Sequence, residues 1–376
     1  MVDIKLGCLD HLFDKVPAGA ATHFTFPRLG RVRLFLPVDK KAAAVGKAFF
    51  FNGWKQVRFE AFHLAGLTFK LFQQNWVREA EWATLMKTLT GNGAAWMVIL
   101  AGSPGPYAKA TVLILGDGGR PLAVGKIGNT PSTVRLLENE WAWLQILSEH
   151  SGVTGSVPVP VAAQHFGETF VLLQSVVVDG GARTALVPEM VSFLSALQEA
   201  TAAGECFIGS NMHKEMHGRL ERLRGVLSVG WQMRAKMAIQ RLERRFQNCR
   251  VKMAAAHRDF VPWNMRVRPT GVFVFDWEYA SGSYLPLYDL FHFLLMPIVL
   301  KREISTRDLI EVLQQAVDAS RTLPETTNVL ADHQMLAYLL DLSLFYLEAN
   351  VGQEQGDRVL TRYARMIDCF DTWRLK

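Results

Sequence analysis

Between Trp96 and Val178 the apolar residues fall into short runs parted by glycine-rich turns. Runs over 96–100 and 110–115 flank the Gly/Pro-rich segment 101–106, which predicts a hairpin. A second turn, Gly116, Asp117, Gly118, Gly119, leads into a third predicted strand over 122–127. Leu136, Leu137, Trp141, Leu144 and Leu147 then recur at helical spacing, with Ser132 placed to cap the helix. Two more apolar runs, 159–166 and 170–178, are separated by Gly167, and the polar link Asp179, Gly180, Gly181 follows. The predicted order is three strands, a helix and two strands.

Beyond that link the period changes. Apolar residues three or four apart predict helices over 188–201, 213–226 and 233–247, and again over about 306–321, 333–348 and 357–373. Strand-like runs interrupt once, at 265–267 and 272–275, with Pro269, Thr270 and Gly271 as the turn. The fold class expected is α+β, with a small antiparallel-sheet lobe over 95–178 and a larger, mostly helical lobe over 179–376. Residues 1–94 read as an N-terminal extension or subdomain of unknown role. They hold strand-like runs at 31–36, 48–51 and 57–62 and one helix near 78–89.

Composition narrows the class. At 376 residues and 49% hydrophobic, the chain has enough apolar surface for two or three cores, so disorder is excluded. The formal charge is +6, but Lys and Arg are scattered. The basic runs 219–224 and 241–245 sit at helical spacing among apolar residues, which predicts solvated helix faces and no nucleic-acid partner. Cys8, Cys206, Cys249 and Cys369 are far apart, with no CxxC pair, as suits a reducing cytoplasm. No basic, apolar leader opens the chain and no run of about 18 uncharged apolar residues occurs, so the expectation is a cytoplasmic protein with no membrane span.

The strongest chemical signal is His257, Arg258, Asp259, Phe260, Val261, Pro262, Trp263, Asn264, followed by Phe275, Asp276, Trp277, Glu278. The first segment fits H-x-D-x-x-x-x-N, the catalytic loop of kinases. Phosphoryl transfer needs little covalent help but strict placement: a carboxylate to take the acceptor's proton, and oxygens to hold magnesium on the phosphates. Asp259 suits the first task, and Asn264 and Asp276 suit the second. A strand, a turn and a return strand fit between Asp259 and Asp276, so both carboxylates can emerge at one edge.

These segments resemble those of the aminoglycoside phosphotransferase and choline kinase-like family, which has a two-lobed protein-kinase-like fold. Its members show H-G-D-x-x-x-x-N, then I-D-[WF]-E, then P-x-Y-D-L, which Pro286 to Leu290 resembles. Asp289 in that last segment is, by the resemblance, a structural support for the catalytic loop. Arg258 stands where glycine is commoner, and Trp277 with Glu278 after Asp276 argues against a protein kinase. The resemblance further implies that Lys126 holds the α/β-phosphates of ATP. Glu140 would be its ion-pair partner, with Glu138 as the alternative, because a helix turns only one of them toward Lys126. It also implies a phosphate-covering loop with Ser103, Gly105 and Lys109, and places Gln174 and Val176 among the cofactor-binding positions.

The implied activity is ATP- and magnesium-dependent transfer of a phosphoryl group to a hydroxyl of a small molecule, a sugar or amino sugar first and a choline-like alcohol second. The alternative is a non-catalytic nucleotide-binding pseudokinase or scaffold, against which the complete set Lys126, Asp259, Asn264 and Asp276 argues. Trp263, Trp277 and Tyr279 read as packing around the loop rather than as a cage for a quaternary ammonium. A satisfied buried histidine is the bland reading of His257, and the register of Asn264, Asp276 and Asp289 argues against it.

Overall fold

The computed structural model describes residues 34–50, 96–102, 107–204, 206–301, 303–324, 329–349 and 357–374, residues 84 and 87, and three short strands within the first 75 positions. The chain divides into two compact units, Met1–Ile146 with Pro158–Val178 and Leu147–Val157 with Asp179–Lys376.

The first unit is built on a sheet of nine described strands: β1 (Phe13–Lys15), β2 (His23–Phe26), β3 (Leu34–Pro37), β4 (Phe69–Gln74), β5 (Trp96–Ala101), β6 (Ala110–Leu115), β7 (Pro121–Gly128), β8 (Pro160–Phe166) and β9 (Thr169–Gln174). Their order is β1-β4-β2-β3-β5-β6-β7-β9-β8, and neighbours pair antiparallel throughout. The five strands expected over 96–178 are thus joined at one edge by four from the N-terminal segment. His23 ties that added portion down, with its Nε2 2.8 Å from the Met97 carbonyl oxygen.

Two of the described helices pack on the sheet. In α1 (Lys40–Phe50), Ala42 joins a core with Leu34, Leu36, Val98, Leu113 and Leu115. Residues 48–50 therefore belong to a helix and not to the strand suggested by Phe49 and Phe50. A run of alanines favours helix, and the Asp39 carboxylate caps it by accepting the Ala42 N–H at 2.8 Å. In α2 (Pro131–Ser148), Leu137 packs on Phe170 and Leu172. Its cap is Thr130 and not Ser132: the Thr133 N–H donates to Thr130 Oγ1 at 3.2 Å, and the Thr130 N–H donates to Thr133 Oγ1 at 3.0 Å. Pro131, which lacks an N–H to be satisfied, fits the first helical position and moves the start upstream. The predicted helix at 78–89 and the run at 57–62 lie outside the described residues, apart from residues 84 and 87.

The second unit is mostly helical: α3 (Pro188–Ala200), α4 (Asn211–Arg222), α5 (Val229–Phe246), α6 (Tyr288–Val299), α7 (Thr306–Ala319), α8 (Ala331–Ala349), α9 (Arg358–Asp368) and α10 (Phe370–Arg374). The last two divide the single helix expected over 357–373 at Cys369. Two small ribbons support the loops: β10 (Ala254–Ala256) pairs with β13 (Ser281–Tyr284), and β11 (Met265–Arg268) pairs with β12 (Gly271–Val274). Helix α6 had no sequence signal. Its stretch Tyr-Asp-Leu-Phe-His-Phe-Leu-Leu-Met is buried almost all round, so no polar face marks a period, and Pro297 sits inside it.

Among the described residues no helix is long and apolar enough to cross a membrane.

Candidate active site

In the sheet-bearing unit, β7 carries Lys126 opposite Thr111 on β6 and Leu172 on β9. Its Nζ lies 2.6 Å from both carboxylate oxygens of Glu140 on α2, and both residues are buried. The helical rotation leaves Glu138 elsewhere, 3.2 Å from His165. Gln174 closes β9 with its Oε1 buried and without a hydrogen-bond partner among the described residues, and Val176 follows the strand's end. Ser103 and Gly105 lie outside the described residues. Flanking them, the Gly102 N–H donates to the Lys109 carbonyl at 2.8 Å, an approach so close that a Cβ at Gly102 would stand 2.3 Å from that oxygen. Glycine is the residue that permits it.

In the helical unit the loop between β10 and β11 is held from several sides. Asp289, in the first turn of α6, accepts the His257 N–H at 2.7 Å and the Arg258 N–H at 2.9 Å. Burial pushes its carboxyl up, against the opposing pull of His257 and those two donors. His257 is itself fully buried: Nε2 lies 3.0 Å from the Phe275 carbonyl oxygen, so it donates there and leaves Nδ1 to accept the Asp259 N–H at 3.2 Å. It is a satisfied core histidine that also fixes the two segments carrying Asp259 and Asp276.

Arg258 adopts φ 66°, in the left-handed region where side chains other than glycine are strained, which accounts for glycine's prevalence at this position of the motif. Its guanidinium reaches Glu215 at 3.3 Å and Asp341 at 3.5 Å and stacks 4.8 Å above the Tyr284 ring. Arg219 joins the same network, donating to Asp341 and to Glu215 at 2.7 Å each. Tyr288 and Tyr284 donate their hydroxyls to these two acids at 2.8 Å. Arg219 is therefore buried, contrary to the solvated face expected for 219–224. Asp341 lies 122 positions further along the chain, and no local pattern reveals it.

Asp259 is oriented by two donors. Asn264 Nδ2 reaches its Oδ2 at 2.7 Å, and His292 Nε2 lies 3.3 Å from its Oδ1. A carboxylate oxygen accepts, so the His292 proton sits on Nε2 and Nδ1 accepts from the Tyr338 hydroxyl at 3.3 Å. Sequence reading missed His292. The available signal was its place three residues after Asp289 on α6, one turn along the helix and on the same face. Asp276 follows Phe275, whose N–H donates to the Asn264 carbonyl at 3.0 Å, and it too is left-handed, at φ 73°. The structure thus brings Asp259 and Asn264 into direct contact and sets Asp276 beside Asn264 through the backbone.

Asp259 opens onto a cavity of about 240 Å³ whose other lining residues are Arg258, Tyr279, Tyr288, His292, Leu342, Phe345 and Tyr346. Burial, and then the Asp259 charge, push the Tyr346 phenol up, which keeps it a neutral hydroxyl. Trp277 is buried, donating to the Val274 carbonyl at 3.0 Å, and is packing, whereas Tyr279 lines the cavity and Trp263 is half exposed.

An α+β chain with a small antiparallel-sheet part and a large helical part, carrying a lysine–glutamate pair and an Asp/Asn catalytic-type loop, has the protein-kinase-like fold in its small-molecule kinase form. The phosphotransferase enzyme family matches residues 104–327, more than half of the chain, and the chain belongs to that family. Solved structures share the fold. Aminoglycoside phosphotransferase APH(4)-Ia superposes with a TM-score of 0.52 over 77% of this chain and 99% of its own, at 15% identity. A thermostable mutant of that enzyme in ternary complex with ADP and hygromycin B gives 0.51 at 14% identity over 77% and 97%. Another in complex with AMP-PNP and hygromycin B gives 0.51 at 16% over 77% and 98%. No curated protein matches the chain.

Proposed function

We propose that this chain is an ATP- and magnesium-dependent phosphotransferase that moves the γ-phosphate to a hydroxyl group of a small molecule. The observation that carries the reading is the Asp259 carboxylate, fixed between Asn264 and His292 at the wall of an aromatic cavity. A carboxylate held in one orientation is what accepting an alcohol proton requires.

The donor set fits magnesium. Because Asn264 turns Nδ2 to Asp259, its Oδ1 would be the oxygen for a cation, and the Asp276 carboxylate would supply a second hard ligand. When bound, magnesium would neutralise charge on the phosphates. Lys126, held by Glu140, would bind the α/β-phosphates, and the orphaned Gln174 Oε1 offers an acceptor to the nucleotide. Asp259 would then receive the acceptor's hydroxyl proton as the hydroxyl oxygen bonds to the γ-phosphorus and the bond to the departing ADP breaks, while Asp289 and His257 keep the loop in place.

For the acceptor, the cavity favours a sugar or amino sugar, with a choline-like alcohol second. Tyr279, Phe345 and Tyr346 offer flat faces, and the two tyrosines hydroxyls, suited to a sugar ring. Among the lining residues Asp259 supplies the lone carboxylate and Arg258 a cation, a poor match for a polycationic acceptor.

The test is an ATP-consumption screen with magnesium over sugars, amino sugars and amino alcohols, run beside Asp259→Ala and Asp276→Ala. Acceptor-dependent ADP release, abolished in both variants with the fold intact, is expected. Near wild-type rates in either variant would sink the assigned roles.

A further inference from the structure

On the helical unit, α4 carries His213 and His217 one turn apart on one face, with their rings 4.6 Å apart. Glu243 on α5 faces them, and the two Nε2 atoms approach the same oxygen, Oε1, at 3.1 and 3.0 Å. Neither the catalytic-type loop nor the cavity uses these three residues.

We propose that His213, His217 and Glu243 bind a divalent transition-metal ion of the zinc type, bridging α4 and α5. Their three donor atoms lie within 4.8 Å of one another. Around a tetrahedral zinc, with metal–ligand distances of about 2.0–2.2 Å, donor atoms stand roughly 3.3–3.6 Å apart. The two Nε2–Oε1 separations need only a few tenths of an ångström of outward movement to admit the ion. Two imidazoles with one carboxylate suit zinc, cobalt or nickel and disfavour magnesium, which takes oxygen ligands.

Access and support are both present. The side chains of His217 and Glu243 are 45% and 37% exposed, so an ion and its remaining water can enter. His213, at 15%, is backed edge-on by the buried Phe207 ring at 5.5 Å. Without metal, each Nε2 proton points to Oε1, and His213 Nδ1 accepts the Gly209 N–H across a long 3.4 Å. Metal binding moves each ring proton from Nε2 to Nδ1, with no net release from neutral imidazoles. It gives up the weak Gly209 contact in exchange for a coordinate bond.

The experiment uses the full chain stripped with a chelator and titrated with cobalt alone, then with zinc, following the visible absorption of tetrahedral cobalt. One equivalent should bind, zinc should displace it, and a large excess of magnesium should not. His217→Ala and Glu243→Gln should each weaken binding about tenfold or more, whereas His165→Ala and Cys206→Ser should leave it unchanged. Glu243→Gln retains side-chain size and hydrogen bonding, so it answers the question even if His217→Ala folds poorly. Absence of a saturable cobalt spectrum, affinity unchanged in Glu243→Gln, or binding lost in Cys206→Ser would each overturn the proposal and leave the cluster a hydrogen-bonded tie between two helices.

Discussion

The Asn264 side-chain amide donates to both the carboxylate and the backbone carbonyl of Asp259, at 2.7 and 3.1 Å. One residue therefore fixes the candidate base and, through its other amide atom, would offer an oxygen to the proposed cation. Asn264→Ala should lower turnover by about 10²–10³-fold, in the range a misplaced acid–base group costs. The apparent affinity for magnesium should fall with it. Steady-state rates at several magnesium concentrations check both, and a change in rate with no change in magnesium dependence would remove Asn264 from the metal set.

His292 touches Asp259 and not the cation ligands, so it is a positioning residue. His292→Gln retains a donor but cannot join Tyr338 to Asp259 in the same way. The expected result is a kcat lowered about tenfold with KM for ATP unchanged, and a larger loss for His292→Ala. A rise in KM for ATP with unchanged kcat would show that the residue acts elsewhere.

Asp289 accepts two N–H groups at one bend, and an amide oxygen presents one acceptor group where the carboxylate presented two. Asp289→Asn should leave one buried N–H unpaired, costing about 1–3 kcal/mol of stability, and should slow turnover by loosening Asp259. Denaturant unfolding with parallel rate measurements separates the two effects.

What the sequence revealed follows from which interactions are local. The five strands over 96–174 were legible as short apolar runs bounded by turn residues, and helices α3, α4, α5, α7 and α9 because each buries one face. Asp259 and Asn264 were legible from their spacing within one loop, and Asp276 because a single short ribbon separates it from Asn264. Helix α6 was not legible, since its run is short, almost wholly apolar and interrupted by Pro297, whereas the longer α8, although buried along 333–344, kept apolar residues at helical spacing. Arg219 was misread because its partners Asp341 and Glu348 come from α8, and a charge run looks solvated until those acids are in place. Helical rotation lets only one of Glu140 and Glu138 face Lys126, and Glu140 lies four and seven residues before the apolar Leu144 and Leu147, yet the ion pair with Lys126 becomes definite once β7 and α2 are built.

His23 supplies a pH dependence. Burial holds its imidazole down at about 4 against a usual 6.5, although the bond to Met97 opposes this. The folded chain then binds fewer protons at this site than the unfolded chain between about pH 6.5 and 4, so stability falls as the pH drops through that window. The His23 share is at most about 3 kcal/mol by linkage. His23→Gln should flatten the decline in the unfolding free energy between pH 6.5 and 4.5, and an unaltered slope would show that His23 is not buried neutral.

Arg258→Gly sets two effects against each other at one residue. Glycine takes a φ of 66° freely, and removing the strained side chain there should recover about 1–2 kcal/mol. The same change deletes a guanidinium 10% exposed, leaving Glu215 and Asp341 with one buried cation, Arg219, between them. Breaking a buried ion pair by removing one partner costs about 3–5 kcal/mol, so the loss should prevail by roughly 2 kcal/mol. Arg258→Gly is therefore expected to unfold at lower denaturant, although it restores the commoner residue of the motif. Combining it with Asp341→Asn, which removes the charge left behind, should cost less than the sum of the two single changes. A stabilised Arg258→Gly would mean that backbone strain, and not the charge network, governs this loop.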